Sequence, residues 1–114
     1  MLTIDALKGF GADTSEGLTR CMGNEAFYLR LVKTVPEEPN FKRLSDAIAA
    51  GNMDTAFEAA HALKGIVANL SLTPIYGPVS ELTEKLRAKQ KGDYSGLLKE
   101  VLAQKDKLGK ICSD

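Results

Sequence analysis

The sequence is short of the features that mark several common classes of function. Its 15 Lys and Arg residues are balanced by 15 Asp and Glu residues, so the formal net charge is zero. Nucleic-acid binding draws on a clustered surplus of Lys and Arg, which releases counterions from the phosphate backbone. The apolar runs are only a few residues long, whereas a helix needs roughly 20 apolar residues to cross a bilayer. We therefore expect no nucleic-acid partner and no membrane partner.

Signals for export and for disulfides are also weak. Residues 1–5 lack a charged leader followed by an apolar segment. Only two cysteines are present, Cys21 and Cys112, and they lie far apart in the chain. Buried or unreactive thiols in a reducing compartment are therefore favoured over a disulfide. These features predict a cytoplasmic protein.

The familiar catalytic signatures are missing too. A single histidine, His61, leaves no histidine pair for zinc, and neither a G-x-S-x-G motif nor a cysteine–histidine signature occurs. No G-x-x-x-x-G-K-[ST] phosphate loop is present either. We expect no metal site and no ATP-binding kinase site.

What the sequence does contain is enough apolar material for one folded domain. Its 114 residues are 44% hydrophobic, which suits a single compact domain over residues 1–114. Between the glycine and proline clusters, apolar residues recur at helical rather than alternating spacing. Four of the predicted helices are long, and the later ones are joined by short connections. The sequence therefore predicts an all-α, up-down antiparallel four-helix bundle with short additional N-terminal helices.

One predicted helix, over about residues 53–71, has an uninterrupted apolar seam. Asn52 or Asp54 can cap this helix. We expect Thr73 to cap the next helix, with Pro74 at its first position, while Gly77 and Pro78 either kink its first turn or delay its start. The seam residues follow one another at alternating spacings of three and four: Met53, Ala56, Ala60, Leu63, Val67 and Leu70.

His61 lies off this seam. At about 100° per residue, it projects more than a quarter-turn from the core direction, on the solvent side. Lys64 and Gly65 are its i+3 and i+4 neighbours, and a lysine ammonium there can stabilise a phosphoryl group on the imidazole. Glycine inside a helix costs about 1 kcal/mol relative to alanine, so Gly65 is unusual. Its missing side chain would leave a notch through which another protein could approach the ring.

Further residues around His61 leave alternatives open. Phe57, at i−4, is either core or, with Ala68, an apolar docking spot beside the imidazole. Glu58 either orients the ring or is simply a solvated charge, and the solvated charge is favoured. The basic residues near the end of the following helix are expected to complement its C-terminus and form no site: Lys85, Arg87, Lys89 and Lys91.

The segment from Ala60 to Gly65 resembles the H-x-L-K-G signature of histidine-phosphotransfer (HPt) domains of two-component phosphorelays. Ala68-Asn69-Leu70 and Leu82-Thr83-Glu84-Lys85-Leu86 resemble the same family, and the likeness covers roughly residues 44–92. Ser71 departs from the pattern, because many members carry glycine there. Gly77-Pro78 is a second departure, where members usually continue a plain helix.

The resemblance implies that His61 is the phosphoacceptor, Lys64 stabilises the phosphoryl group and Gly65 gives partners access. His61 would take the group from an aspartyl phosphate on a receiver domain and relay it to another response-regulator receiver. A hybrid sensor histidine kinase is a further implied partner. The chain would need no cofactor of its own, since the partner receiver would supply Mg²⁺.

Two other functions stay open at this point. The chain could be an inert helical interaction module with an HPt-like bundle, or an excised phosphoacceptor domain of a chemotaxis-type kinase. No apolar stripe is left over once the predicted bundle forms, so we expect a monomer.

Overall fold

The structure is a computed structural model that describes residues 1–90 and 92–113. All regular elements in that part of the chain are helical, which confirms the all-α prediction. Lys91, in the predicted basic run, lies outside the described residues. The elements are α1 (Ile4–Phe10), α2 (Thr14–Arg20), α3 (Glu25–Thr34), a 3₁₀ turn (Val35–Glu37), α4 (Pro39–Ala49), α5 (Met53–Asn69), α6 (Thr73–Arg87) and α7 (Ser95–Ser113).

Side-chain caps set the start of several helices. The side chains of Thr3, Asp13, Asn24 and Asn52 each accept a hydrogen bond from the backbone N–H three residues on. Such caps satisfy one of the N–H groups that a helix leaves without an internal partner. Of the two caps considered for α5, Asn52 is the one used.

The predicted cap of α6 is wrong. Thr73 is the first helical residue, and the capping position belongs to Leu72, whose side chain cannot accept a hydrogen bond. Leu72 is fully buried, so packing sets the position of this turn. Pro74 therefore stands second in the helix, and α6 continues through Pro78 to Arg87 without a delayed start. Proline is tolerated in this early part of α6 because the bond it removes is the one to the carbonyl of Pro74, in the first turn.

Helix α5 lies at the centre of the packing. It contacts α4 and α6 most extensively, while α6 also packs against α7. The α7 helix reaches α1 and the 3₁₀ turn. The predicted seam faces this core, with only Met53 left partly exposed among its members. Buried seam residues are Ala56, Ala60, Leu63, Val67 and Leu70.

A buried tyrosine ties α3 to the end of α5. The Tyr28 hydroxyl donates a hydrogen bond of 2.8 Å to the carbonyl of Leu70. Burial, reinforced by Cys21 and Asp13, raises the pKa of Tyr28 to about 12. Gly17 of α2 lies against the ring, and a Cβ there would come within 2.5 Å of it. The close approach of α2 to α3 therefore requires glycine at this position.

Ser71 joins α2 to the connection between α5 and α6. Its backbone has φ +54°, a left-handed conformation that favours glycine. The buried hydroxyl donates to Glu16 Oε1 at 3.0 Å, and the Ser71 carbonyl accepts from the Asp13 N–H at 3.0 Å. These bonds hold a non-glycine residue in a strained conformation.

The two cysteines are unpaired in the structure. Cys21 is buried, and Cys112 is partly buried near the end of α7. Burial raises the pKa of the Cys112 thiol.

Within residues 1–90 and 92–113, no helix has the length and apolar character that crossing a membrane requires.

Candidate functional site

His61 is exposed on the outer face of α5, as the helical periodicity predicts. The residue before it, Ala60, is fully buried, as is Leu63 two residues later. Across the described ranges the imidazole is in no hydrogen bond or ion pair with another side chain. The ring nitrogens are therefore available to solvent or to a visiting group.

An aromatic contact fixes the surroundings of the imidazole on one side. Phe57 lies one turn earlier on α5, with its ring centroid 5.7 Å from that of His61 and the planes inclined at 39°. Phe57 is partly buried and packs against the core, and part of its side chain stays exposed. The Arg87 guanidinium of α6 lies over the Phe57 ring, 5.1 Å from its centroid. Such cation–π contacts favour a defined guanidinium position.

Lys64 lies one turn after His61 and is not a free cation. Its Nζ is 3.7 Å from Oε1 of Glu84 on α6. The Lys64 side chain is 27% exposed, whereas that of Glu84 is 54% exposed, so the pair is reached by solvent from the Glu84 side. The ammonium beside His61 is already engaged by a carboxylate.

Glu84 joins the two cations of the site. Its second oxygen, Oε2, accepts a hydrogen bond of 2.9 Å from Arg87 Nε. This bond is the main reason that the pKa of the Glu84 carboxyl lies below its usual range, and the charges of Arg87 and Lys64 add to it. Glu84 therefore stays ionised while it bridges Lys64 and Arg87.

Sequence reasoning missed the roles of Glu84 and Arg87. The sequence predicts only that Arg87 complements the end of its helix, and Glu84 enters only as part of the family-like segment. Both face α5 because α6 packs beside it in one particular register. The i, i+3 spacing of Glu84 and Arg87 signals an ion pair, but it carries no information about which residues of α5 they meet.

Gly65 lies on the exposed face of α5, as predicted. A Cβ built on Gly65 meets no atom within 4 Å, so open space surrounds this position. Close packing inside the chain does not require glycine at this point. Its presence in the middle of α5 is therefore a departure from helix propensity that the fold does not explain.

Ala68 extends the same face by another turn. It is partly buried and lines a groove with Asp13, Glu16 and Tyr76. Because α-helical residues at i, i+4 and i+7 share one face, Phe57, His61, Gly65 and Ala68 lie along a single side of α5. We call these four residues, with Lys64, the His61 face.

Glu58 is engaged away from the imidazole. Its carboxylate accepts a hydrogen bond of 2.7 Å from Arg43 of α4, and both side chains are largely exposed. This pairing favours the interpretation of Glu58 as a solvated surface charge over that of a group orienting the ring.

Comparison of the chain with protein-family models, with curated proteins and with solved structures finds no match. The His61 face presents an accessible imidazole, a lysine, an aromatic ring and an open notch. Glu84 and Arg87 of α6 lie next to it, with Glu84 paired to Lys64 and Arg87 over the Phe57 ring. In the described part of the chain, no three His, Cys, Asp or Glu side chains are grouped as a metal site would need.

Proposed function

We propose that this chain is a histidine-containing phosphotransfer module of the HPt kind. His61 accepts a phosphoryl group from the aspartyl phosphate of a receiver domain and relays it to another response-regulator receiver. The observation that carries the proposal is an exposed imidazole on the central helix, with an unobstructed glycine one turn away and a lysine at i+3. The H-x-L-K-G resemblance supports the same assignment.

The chemistry is a reversible exchange between two nucleophiles. An unprotonated imidazole nitrogen attacks phosphorus, and the P–N bond forms as the P–O bond to the aspartate breaks. The aspartate leaves as a carboxylate with the bonding electron pair. In the second step, the aspartate of another receiver attacks phosphorus, the P–N bond breaks and the imidazole leaves.

The neighbours of His61 have separate roles in this scheme. Phosphoryl transfer depends mainly on positioning and on neutralising charge. Lys64 stabilises the phosphoryl group, and Gly65 admits the partner. Phe57 and Ala68 offer apolar surface for receiver docking on either side of the imidazole. The receiver supplies Mg²⁺, and a hybrid sensor histidine kinase could present such a receiver.

The architecture that suits this role is an antiparallel four-helix bundle. We propose that α4, α5, α6 and α7 form the up-down bundle and that α1, α2 and α3 cover part of it. Packing of α5 between α4 and α6, and of α6 against α7, supports this arrangement. A cytoplasmic location, where receivers and reduced thiols are found, accords with the unpaired Cys21 and Cys112.

The test is transfer of labelled phosphate from phosphorylated receivers of the same organism to the wild-type chain, with Mg²⁺ present. We expect label on the chain that is labile in acid and stable in base. His61→Gln should take up no label, although its stability should change by less than about 0.5 kcal/mol because the site is exposed. Urea unfolding of the variant provides the control for folding.

Three results would contradict the proposal. Label that persists in His61→Gln would remove His61 from its role. Failure of every receiver to transfer label to the wild-type chain would favour the inert interaction module, and labelling only by an ATP-binding kinase domain would favour the chemotaxis-type phosphoacceptor.

A further inference from the structure

A single carboxylate holds both cations near His61. Glu84 places Oε1 3.7 Å from Lys64 Nζ and Oε2 2.9 Å from Arg87 Nε. Neither cation is paired with a second carboxylate in the described residues. Glu84 therefore pairs with both Lys64, which is one turn from His61, and Arg87, which lies over the Phe57 ring.

The same arrangement extends to the imidazole through aromatic contacts. Arg87 lies over the Phe57 ring, and Phe57 lies against His61. Lys64 is one turn from His61 on the same helix. Glu84 thus contacts Lys64, which is one turn from His61, and Arg87, which lies over the ring that contacts His61.

A phosphoryl group on His61 would add between one and two negative charges one turn from Lys64. The phosphoryl group and the Glu84 carboxylate would then compete for the Lys64 ammonium. A carboxylate that keeps part of the lysine's interaction leaves less of it for the phosphoryl group. This competition weakens retention of the phosphoryl group and makes its transfer easier.

We propose that Glu84 is a positioning residue that competes with the phosphoryl group on His61 for Lys64. Glu84 keeps Lys64 oriented in the resting protein and limits how strongly the phosphorylated form is stabilised. This inference rests on the proposed function, because it assigns Glu84 a part in balancing uptake of the group against its release.

The test phosphorylates the full chain chemically, so that it does not depend on finding a receiver. Phosphoramidate serves as the donor: the imidazole nitrogen attacks phosphorus, the P–N bond of the donor breaks, and ammonia leaves with the imidazole proton. Phosphorus NMR then follows the pH titration of the phosphoryl group on His61. The acid dissociation constant of this phosphoryl group reports the charge around it. A purely structural role of Glu84 would leave that constant unchanged.

We expect Glu84→Gln to raise this dissociation constant about two- to fivefold, the range of an exposed ion pair. The matched control is Glu81→Gln, since Glu81 is an exposed carboxylate on the same helix that pairs with Lys85 instead, at 3.9 Å. The control should resemble the wild type. The effect of Glu84→Gln should disappear in the Lys64→Gln background and shrink at about 0.5 M salt, where exposed charges are screened.

Equal dissociation constants for Glu84→Gln and Glu81→Gln would overturn the inference. An effect of Glu84→Gln that survives in the Lys64→Gln background would also overturn it. So would failure of phosphoramidate to phosphorylate His61 in both the wild-type chain and Glu84→Gln. The proposed function is judged separately by transfer from receivers. Transfer without a Glu84 effect would sink this inference alone, whereas a Glu84 effect without transfer would sink the proposed function alone.

Discussion

At the scale of single residues, Gly65 is the position in α5 where the fold does not explain the choice of residue. No neighbouring atom fills the space where its side chain would be, and helix propensity disfavours glycine inside α5. Alanine would suit this position in the helix better, and the proposed function accounts for glycine by access of a partner to the imidazole one turn earlier.

Substitution of Gly65 should therefore affect stability and transfer in different ways. We expect Gly65→Ala to raise the free energy of unfolding by up to about 1 kcal/mol, and Gly65→Leu to raise it by a similar amount. Leucine should also slow transfer from a receiver by about tenfold or more, because its side chain obstructs docking. Urea unfolding and label transfer measure the two effects.

Gly65→Ala is the matched control for side-chain size. Alanine raises helix stability as leucine does, but it adds only one carbon. Normal transfer by Gly65→Leu would defeat the explanation by access. Loss of stability in Gly65→Ala would show that glycine has a structural role that the open surroundings do not reveal.

Helical periodicity predicts the residues of the His61 face well, but it does not predict which residues of α6 lie next to that face. The positions of His61, Lys64 and Gly65 follow from the turn of one helix, and all lie where that turn predicts. Glu84 enters the site from α6, so its position depends on how two helices slide and rotate against each other. That register is set by side-chain packing across the interface, which spacing along the chain does not encode.

At the scale of elements, local signals succeed where polar side chains set a boundary. Asn52, one of the two caps predicted for α5, caps that helix through its own side-chain oxygen, a bond that depends on a few neighbouring residues. The start of α6 was predicted wrongly at Thr73 because Leu72 is buried there instead. Tertiary packing prevails over capping preference at that turn.

Close packing between α2 and α3 gives a prediction at this scale. A Cβ on Gly17 would come within 2.5 Å of the Tyr28 ring, and that ring is held by its bond to Leu70. We expect Gly17→Ala to lower the free energy of unfolding by about 1–3 kcal/mol, the range for overpacking a tight contact. Denaturant unfolding measures the change.

Gly9→Ala is the matched control, because Gly9 also lies within a short N-terminal helix but has no atom within 4 Å of its Cβ position. This control should be neutral or up to about 1 kcal/mol more stable. Equal stability of the two alanine variants would mean that α2 can shift away from Tyr28 without loss.

At the scale of the whole molecule, the helical class and the central place of α5 are predictable from the sequence. The seam of α5 runs through the core, and α4 and α6 pack on either side of it. The attachment of the short helices is less predictable, because it depends on contacts between residues distant in sequence. The Tyr28 bond to Leu70 and the Ser71 bond to Glu16 are such contacts.

The central claim, that His61 carries phosphoryl groups between receivers, is tested most directly by a reconstituted relay. A labelled donor receiver is mixed with a second receiver that cannot take label from it, and the chain is then added with Mg²⁺. The claim predicts that label reaches the second receiver only when the wild-type chain is present, and not with His61→Gln. Label that arrives equally with the variant, or that never leaves the donor receiver, would contradict it.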